Sequence, residues 1–153
     1  MTDLGSDELL LIDPIRMQYL GHELAHPVRH KRVGAVVTTP GRIATIAGQY
    51  AAYHLASTLR LDHERPKIPQ FLTEHNSEEH LALSRRCREE IRGRRVLVVG
   101  DHRATWTMIK EVCDAVIQLG ATVVGVSIIS LGPLDDKNFV VPGCITTIVK
   151  LGP

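Results

Sequence analysis

The feature that most constrains the fold is an uninterrupted succession of strand, loop, helix and strand in the second half of the chain. Arg95–Gly100 (RVLVVG) is an apolar run of strand length, and the loop Asp101–Trp106 that follows it is polar. Thr107–Leu119 carries apolar residues at helical spacing, with Gly120 at the C-terminal cap position. Ala121–Ser130 is again an apolar run. A strand, a crossover helix and a second strand predict two parallel strands in one sheet.

The first half of the chain repeats this succession. Val33–Thr38 predicts a buried strand, Thr39–Arg42 a turn with Pro and Gly, and Ile43–Leu59 an amphipathic helix. Ile68–Thr73 predicts a weaker strand. Two such units predict the α/β class, with a single-domain, mostly parallel sheet flanked by helices. Ligands of such sheets bind beyond the carboxyl ends of the strands, so Thr38–Arg42 and Gly100–Thr107 are the candidate binding loops.

A further helix is predicted near the start of the chain, over Pro14–His26, with Asp13 as its N-cap. Pro27 is expected to end this helix, because the residue before a proline is disfavoured in the α region. The stripe of the helix that faces the core is expected to comprise Ile15, Tyr19, Leu20 and Leu24.

The remaining segments complete the predicted domain organisation. The charged segment Ser77–Arg92 is interpreted as either a solvated helix or a mobile connection, and Cys144–Leu151 (CITTIVKL) as the last strand. We expect one domain over residues 1–153, in which residues 1–12 form a polar arm and residues 76–93 a mobile loop or lid.

Composition and charge exclude several functional classes. The formal net charge is +1, so we expect neither a nucleic-acid nor a membrane-surface partner. Three cysteines without CxxC spacing argue against a disulfide framework and against a cysteine-based zinc site, and they favour a reducing cytoplasm. The acidic start of the chain does not resemble a signal peptide, and no apolar run reaches the about 18 residues of a membrane span.

His22, Glu23 and His26 spell H-E-x-x-H, the pattern of zinc metallopeptidases. The zinc site requires both imidazoles on one continuous helix, whereas Pro27 interrupts it. A third ligand would have to come from His30, His54 or a downstream acid, and neither histidine lies in a known continuation of the motif. We therefore expect His22 and His26 to face solvent or a partner subunit, with a zinc peptidase as one alternative function.

Two segments carry a resemblance to a known family. The stretch from Val96 to Ser130 resembles the phosphoribosyl-pyrophosphate signature of type I phosphoribosyltransferases, in which an apolar strand leads through an acidic, Thr-rich loop into a helix. VGAVVTTPGRIATIAGQYAAYHL is similar to the pyrophosphate-binding segment of that family. The opening Leu-Ile-Asp-Pro and the closing CITTIVKL look most like the orotate branch.

The resemblance implies a phosphoribosyltransferase that binds a phosphoribosyl compound and a nucleobase-like acceptor, uses Mg²⁺ and forms a homodimer. Asp101 would be the catalytic residue that holds the ribose, and no protein group is assigned to the metal. The ribose 5-phosphate would be bound by Asp101, His102, Arg103, Ala104, Thr105, Trp106 and Thr107. Pyrophosphate would be bound by Thr39, Pro40, Gly41 and Arg42, and the lid candidates are Arg85, Arg86 and Arg88.

The sequence departs from the family pattern at the loop after the central strand. Gly100 occupies the position of the first acidic residue, and Trp106 replaces two glycines in a loop that is one residue shorter. The basic run that the orotate branch carries is also replaced, by Phe71-Leu72-Thr73-Glu74-His75. A second hypothesis is therefore a catalytically inactive, phosphoribosyltransferase-like binding or regulatory subunit.

Overall fold

The computed structural model describes residues 13–58, 68–75, 81–130 and 143–150. The helices of these residues are α1 (Pro14–Ala25), α2 (Arg42–Thr58), α3 (Arg85–Glu90) and α4 (Trp106–Gln118), with a 3-10 helix at His26–Val28. The strands are β1 (Ala35–Thr38), β2 (Gln70–His75), β3 (Leu81–Leu83), β4 (Arg95–Gly100), β5 (Thr122–Ser130) and β6 (Ile145–Lys150). None of the described helices is long and apolar enough to cross a membrane.

The described strands form one sheet in the order β3-β2-β1-β4-β5-β6. Every neighbouring pair is parallel except β2 and β3, which are antiparallel. The connection from β1 through α2 leads to β2 on one side, and that from β4 through α4 leads to β5 on the other. The chain therefore reverses its winding direction between β1 and β4, which makes their carboxyl ends the topological switch point.

The core lies on both faces of the sheet. Val36 of β1 packs into a cluster with α1 and α2, whereas the next residue, Val37, packs into a second cluster with α4. Leu97 and Val98 of β4 alternate in the same way, because successive side chains of a strand point to opposite faces. Burial on both faces explains why the central strands are continuous apolar runs. The predicted α/β class and mostly parallel sheet are confirmed.

Helix α1 confirms the predicted N-cap and corrects the predicted core stripe. The Asp13 carboxylate accepts hydrogen bonds from the amides of Ile15 (3.1 Å) and Arg16 (3.3 Å), and the α-helix ends at Ala25, two residues before Pro27. Leu20 and Leu24 are buried as predicted, but Ile15 and Tyr19 are 77% and 59% exposed. The buried face is instead completed by Met17 and Gly21.

The close approach of α1 and α2 is the physical reason for this correction. A Cβ atom at Gly21 would lie only 2.4 Å from the Cβ of Tyr50 on α2. The glycine therefore allows the two helix backbones to approach, and this contact turns the face that carries Ile15 and Tyr19 toward solvent.

The segment predicted as a solvated helix or mobile connection contains a strand and a short helix. β3 pairs antiparallel with β2, and the Ser84 hydroxyl caps α3 by accepting a hydrogen bond from the Cys87 amide (3.1 Å). Cys87 and Ile91 are fully buried, so this region is anchored in the core by two apolar side chains. The other predicted boundaries agree with the structure to within one or two residues. The predicted arm (1–12) and the start of the predicted lid (76–80) lie outside the described residues.

Candidate functional site

The two candidate loops meet at the carboxyl ends of β1 and β4. The Thr39 amide donates a hydrogen bond to the Val99 carbonyl (2.9 Å), which joins the end of one strand to the other. Gly41 has a φ of +141°, and a Cβ at this position would lie 2.7 Å from Oδ2 of Asp101. Only glycine avoids both the backbone strain and the collision, so the chain brings a bare backbone against the Asp101 carboxylate.

Asp101 is 2% exposed and organises the loop that it begins. Its Oδ1 accepts a hydrogen bond from the Arg103 amide (2.9 Å), and its carbonyl accepts one from the Ala104 amide (3.0 Å). A buried carboxylate must find such donors to offset the loss of water. The other oxygen, Oδ2, is on the side of Gly41. Asp101 therefore fixes the shape of its own loop with one oxygen and faces the neighbouring loop with the other.

The rest of the loop leads into the N-terminus of α4. Thr105 is the N-cap, with its hydroxyl oxygen accepting from the Met108 amide (3.1 Å). Trp106 is half-buried and packs, together with Ala104, against the apolar cluster beneath α4. Thr107 is exposed in the first helical turn, where amides lack an intrahelical acceptor and the helix dipole favours an anion. His102 is half-buried and Arg103 is exposed.

A groove of about 620 Å³ opens beside these loops, between α2 and the end of β2. Its lining consists of Pro40, Gly41, Arg42, Thr45, Ile46, Leu72, Thr73 and Glu74. Two hydroxyl groups fix its walls: Thr45 donates to the Gly41 carbonyl (2.7 Å), and Thr73 donates to the Thr38 carbonyl (2.6 Å). The volume is within the range of small-molecule sites.

Three of the four residues of the predicted pyrophosphate loop line this groove, and Thr39 does not. Thr39 is fully buried, and its hydroxyl oxygen has no hydrogen-bond partner among the described residues. The sequence did not predict the other five lining residues as site residues; they are Thr45, Ile46, Leu72, Thr73 and Glu74. The sequence feature that could have identified them is the carboxyl end of the predicted strand Ile68–Thr73. If this strand pairs in parallel with Val33–Thr38, its end lies at the same sheet edge as the Thr39–Arg42 turn.

The predicted lid residues Arg85, Arg86 and Arg88 lie on α3 with their side chains exposed. Arg85 pairs with Glu89 (2.9 Å) and Arg86 with Glu90 (2.8 Å), both one helical turn apart. The Arg86 guanidinium also lies 5.9 Å from the centre of the Phe71 ring. Exposed pairs of this kind contribute about 0.3–0.5 kcal/mol each, so they can be exchanged for contacts with a ligand. Their role as a lid stays a prediction.

The histidines of the H-E-x-x-H motif form a surface cluster with a third histidine. The rings of His22 and His26 are stacked with centroids 5.0 Å apart, and His54 meets His22 edge-on at 5.4 Å. The Glu23 carboxylate lies 3.7 Å from Nδ1 of His22. Within the described ranges no group of three His, Cys, Asp or Glu residues could hold a metal ion. The zinc-peptidase alternative is therefore unsupported, and both motif histidines are exposed, as predicted.

The cysteines do not supply a nucleophile to this site. Burial raises the pKa of the Cys113 thiol to about 12 and that of the Cys87 thiol to about 11. Burial also raises the pKa of Cys144. A thiol whose pKa burial raises above its usual value stays protonated and unreactive at neutral pH.

The overall structure is similar to solved phosphoribosyltransferases, although no family model and no curated protein matches the sequence. Adenine phosphoribosyltransferase from Rhodothermus marinus superimposes with a TM-score of 0.66 at 18% identity, over 93% of this chain and 83% of that one. Orotate phosphoribosyltransferase from Mycobacterium tuberculosis, in complex with 5-phospho-α-D-ribosyl 1-diphosphate, gives 0.63 at 17% identity, over 91% and 75%. Purine phosphoribosyltransferase from Pyrococcus horikoshii gives 0.60 at 15% identity, over 92% and 86%. The chain has the type I phosphoribosyltransferase fold, as predicted.

Proposed function

We propose that the protein binds a phosphoribosyl compound across the carboxyl ends of β1 and β4 and transfers its phosphoribosyl group to a nucleobase-like acceptor. The observation that carries the proposal is the position of the Asp101 carboxylate against Gly41, where a Cβ atom would lie 2.7 Å from Oδ2, at the switch point of the sheet. The M. tuberculosis enzyme of the same fold was solved with the phosphoribosyl donor bound.

In this proposal each loop binds one part of the donor. Asp101 accepts hydrogen bonds from the ribose hydroxyls, using the oxygen that its own loop leaves on the side of Gly41. The amide and hydroxyl of Thr107 bind the 5-phosphate at the N-terminus of α4, where the helix dipole favours an anion. Arg42 binds pyrophosphate at the groove, because its guanidinium is exposed and forms no ion pair with a described residue.

The proposed reaction breaks the bond between the anomeric carbon and a pyrophosphate oxygen, which leaves with the electron pair. A ring nitrogen of the acceptor supplies the electron pair for the new bond to the carbon and then loses its proton. Mg²⁺ would neutralise the pyrophosphate when bound, and it is compatible with the site because this ion is held largely by substrate phosphates and water. Asp101 and Thr39 are buried, which limits the access of water to the ends of β4 and β1.

A second candidate function, binding without turnover, is favoured by the hydrogen bonds of the loop itself. The amides of Arg103 and Ala104 are already bonded to Asp101, so they are not available to a phosphate in this conformation. Trp106, which occupies the position of two glycines in the family pattern, packs against the core instead of exposing backbone. A regulatory or binding subunit would retain the phosphoribosyl site and lack catalysis.

The test is to incubate the protein with phosphoribosyl pyrophosphate, Mg²⁺ and a panel of nucleobases, and to measure pyrophosphate release together with ligand binding by calorimetry. Asp101→Asn keeps an oxygen for the Arg103 amide but removes the charge, so it should weaken donor binding about 10- to 100-fold, the value of a charge-assisted hydrogen bond. Asp114→Asn, at an exposed position of α4, is the control and should change nothing.

The outcomes separate the two candidates. Pyrophosphate release that Asp101→Asn reduces supports the transferase, and binding without release over the whole panel supports the regulatory subunit. Absence of binding to every phosphoribosyl compound would contradict both.

We also propose that the protein is a homodimer that uses the outer face of α1 and α2. This face exposes Ile15 (77%), Tyr19 (59%) and Tyr53 (53%), which are large apolar side chains that a partner copy would cover. Sedimentation equilibrium of the wild type and of Tyr19→Glu tests the proposed dimer. A wild type that is monomeric at micromolar concentration would contradict it.

A further inference from the structure

The groove beside Gly41 has walls of opposite charge. Arg42 at the start of α2 is on one wall, and Glu74 near the end of β2 is on the other. Both side chains are exposed, and neither forms an ion pair with another described residue. The six other lining residues carry no charge. The groove therefore offers one end to an anion and the other end to a cation or a hydrogen-bond donor.

The floor of the groove on the Glu74 side is apolar. Leu72 is 41% exposed and, being two residues before Glu74 on the same strand, lies on the same face of the sheet. Ile46, half-buried on α2, lines the opposite side. A flat heterocycle can pack between these two aliphatic side chains and direct a substituent toward the Glu74 carboxylate.

We infer that the acceptor is an uncharged heterocycle with an exocyclic amino group, such as an aminopurine, and that a carboxylated ring is rejected; this inference rests on the proposed function. The Glu74 carboxylate accepts a charge-assisted hydrogen bond from an amino group, whereas a ring carboxylate at the same place brings a second negative charge beside it. Arg42 remains available for the phosphate groups at the other wall. Glu74 is thus the residue that determines which base binds.

Two ligands that share the phosphoribosyl group and differ in the base provide the test. Adenosine 5′-monophosphate carries an amino group, orotidine 5′-monophosphate carries a carboxylate, and ribose 5-phosphate has no base. Titration calorimetry with the wild type should give the amino ligand at least a tenfold lower Kd than the carboxylated one, the value of one charge-assisted hydrogen bond. For each protein we take the ratio of the Kd of orotidine 5′-monophosphate to the Kd of adenosine 5′-monophosphate. A ratio above one is a preference for the amino ligand.

Glu74→Gln should lower the ratio several-fold, because the amide still accepts a hydrogen bond but no longer repels a carboxylate. Glu74→Lys should reverse the preference. Asp114→Lys makes the same change of net charge on α4, away from the groove, and should leave the ratio unchanged. The Kd of ribose 5-phosphate should be the same in all four proteins, because that ligand does not reach Glu74.

The results distinguish the inference from the proposed function. If ribose 5-phosphate and both nucleotides bind with equal affinity and Glu74→Lys changes nothing, the inference is wrong while the phosphoribosyl site stands. A preference for the carboxylated ligand would also overturn it. If ribose 5-phosphate and both nucleotides fail to bind, the proposed function falls, and the inference falls with it.

Discussion

Replacement of Gly41 by alanine tests the contact between the two loops directly. In the native backbone the new Cβ would lie 2.7 Å from Oδ2 of Asp101, and the φ of +141° is a conformation that alanine rarely adopts. The backbone strain alone costs of the order of 1–3 kcal/mol. Displacing the buried carboxylate adds a contribution like that of overpacking, about 1–3 kcal/mol. We therefore expect Gly41→Ala to lower the free energy of unfolding by about 2–6 kcal/mol.

Two further variants separate the strain from the collision. Gly93→Ala is the matched control, because Gly93 also has a positive φ (+78°) but its Cβ would meet no described atom within 4 Å. It should show the backbone cost alone, about 1–2 kcal/mol. In an Asp101→Ala background the carboxylate is absent, so Gly41→Ala should cost about 1–3 kcal/mol less than it does in the wild type.

Urea unfolding followed by circular dichroism, with linear extrapolation to water, measures all four free energies of the double-mutant cycle. Equal costs of Gly41→Ala in both backgrounds, within about 0.5 kcal/mol, would contradict this prediction, since independent sites are additive to that level. In that case the Asp101 carboxylate does not face the Gly41 turn, and the proposed ribose site would have to be abandoned.

Two other predictions concern the fold. Gly21→Ala should lower the free energy of unfolding by about 1–3 kcal/mol, because the new Cβ would lie 2.4 Å from the Cβ of Tyr50. Gly34→Ala is the control: its new Cβ would lie 3.7 Å from the nearest atom, so it should have a smaller effect in the same urea experiment. Burial raises the pKa of Cys113 from 9.0 to about 12, so the folded state binds the thiol proton more tightly than the unfolded state. The stability that this provides is complete below pH 9 and declines as the pH rises toward 12; a Cys113→Ala variant should show a smaller decline, and an equal decline in both proteins would contradict the assignment.

Local sequence signals were sufficient for the central part of the fold. The run RVLVVG corresponds to β4 at both ends, the helix after it is displaced by one residue, and the next strand differs from its predicted range only at its first residue. These elements are specified by a buried apolar run, by helical spacing and by Gly120 as a terminator, all of which act within a few residues. The position of a ligand loop after β4 follows from this local pattern and from the rule for parallel sheets.

The predictions that were wrong concern the buried face of α1 and the segment that contains β3, and both depend on contacts between distant residues. Ile15 and Tyr19 lie at helical spacing with Leu20, yet the close contact of Gly21 with Tyr50 selects a different face for burial. β3 is only three residues long, and its formation depends on the neighbouring edge of β2. A period of 3.6 residues shows that a helix has an apolar face, but the partner helix determines which residues it covers.

The α/β class, the two βαβ units and the two loops after β1 and β4 follow from local patterns in the sequence. The position of Gly41 against the Asp101 carboxylate and the groove shared by Glu74 and Arg42 depend on how distant elements pack. The physical reason is that the parallel pairing of β1 with β2 and β4, with Thr38 level with both Leu72 and Val99, assembles residues about 30 to 60 positions apart along the chain. Such a register results from the packing of whole elements, which no short stretch of sequence encodes.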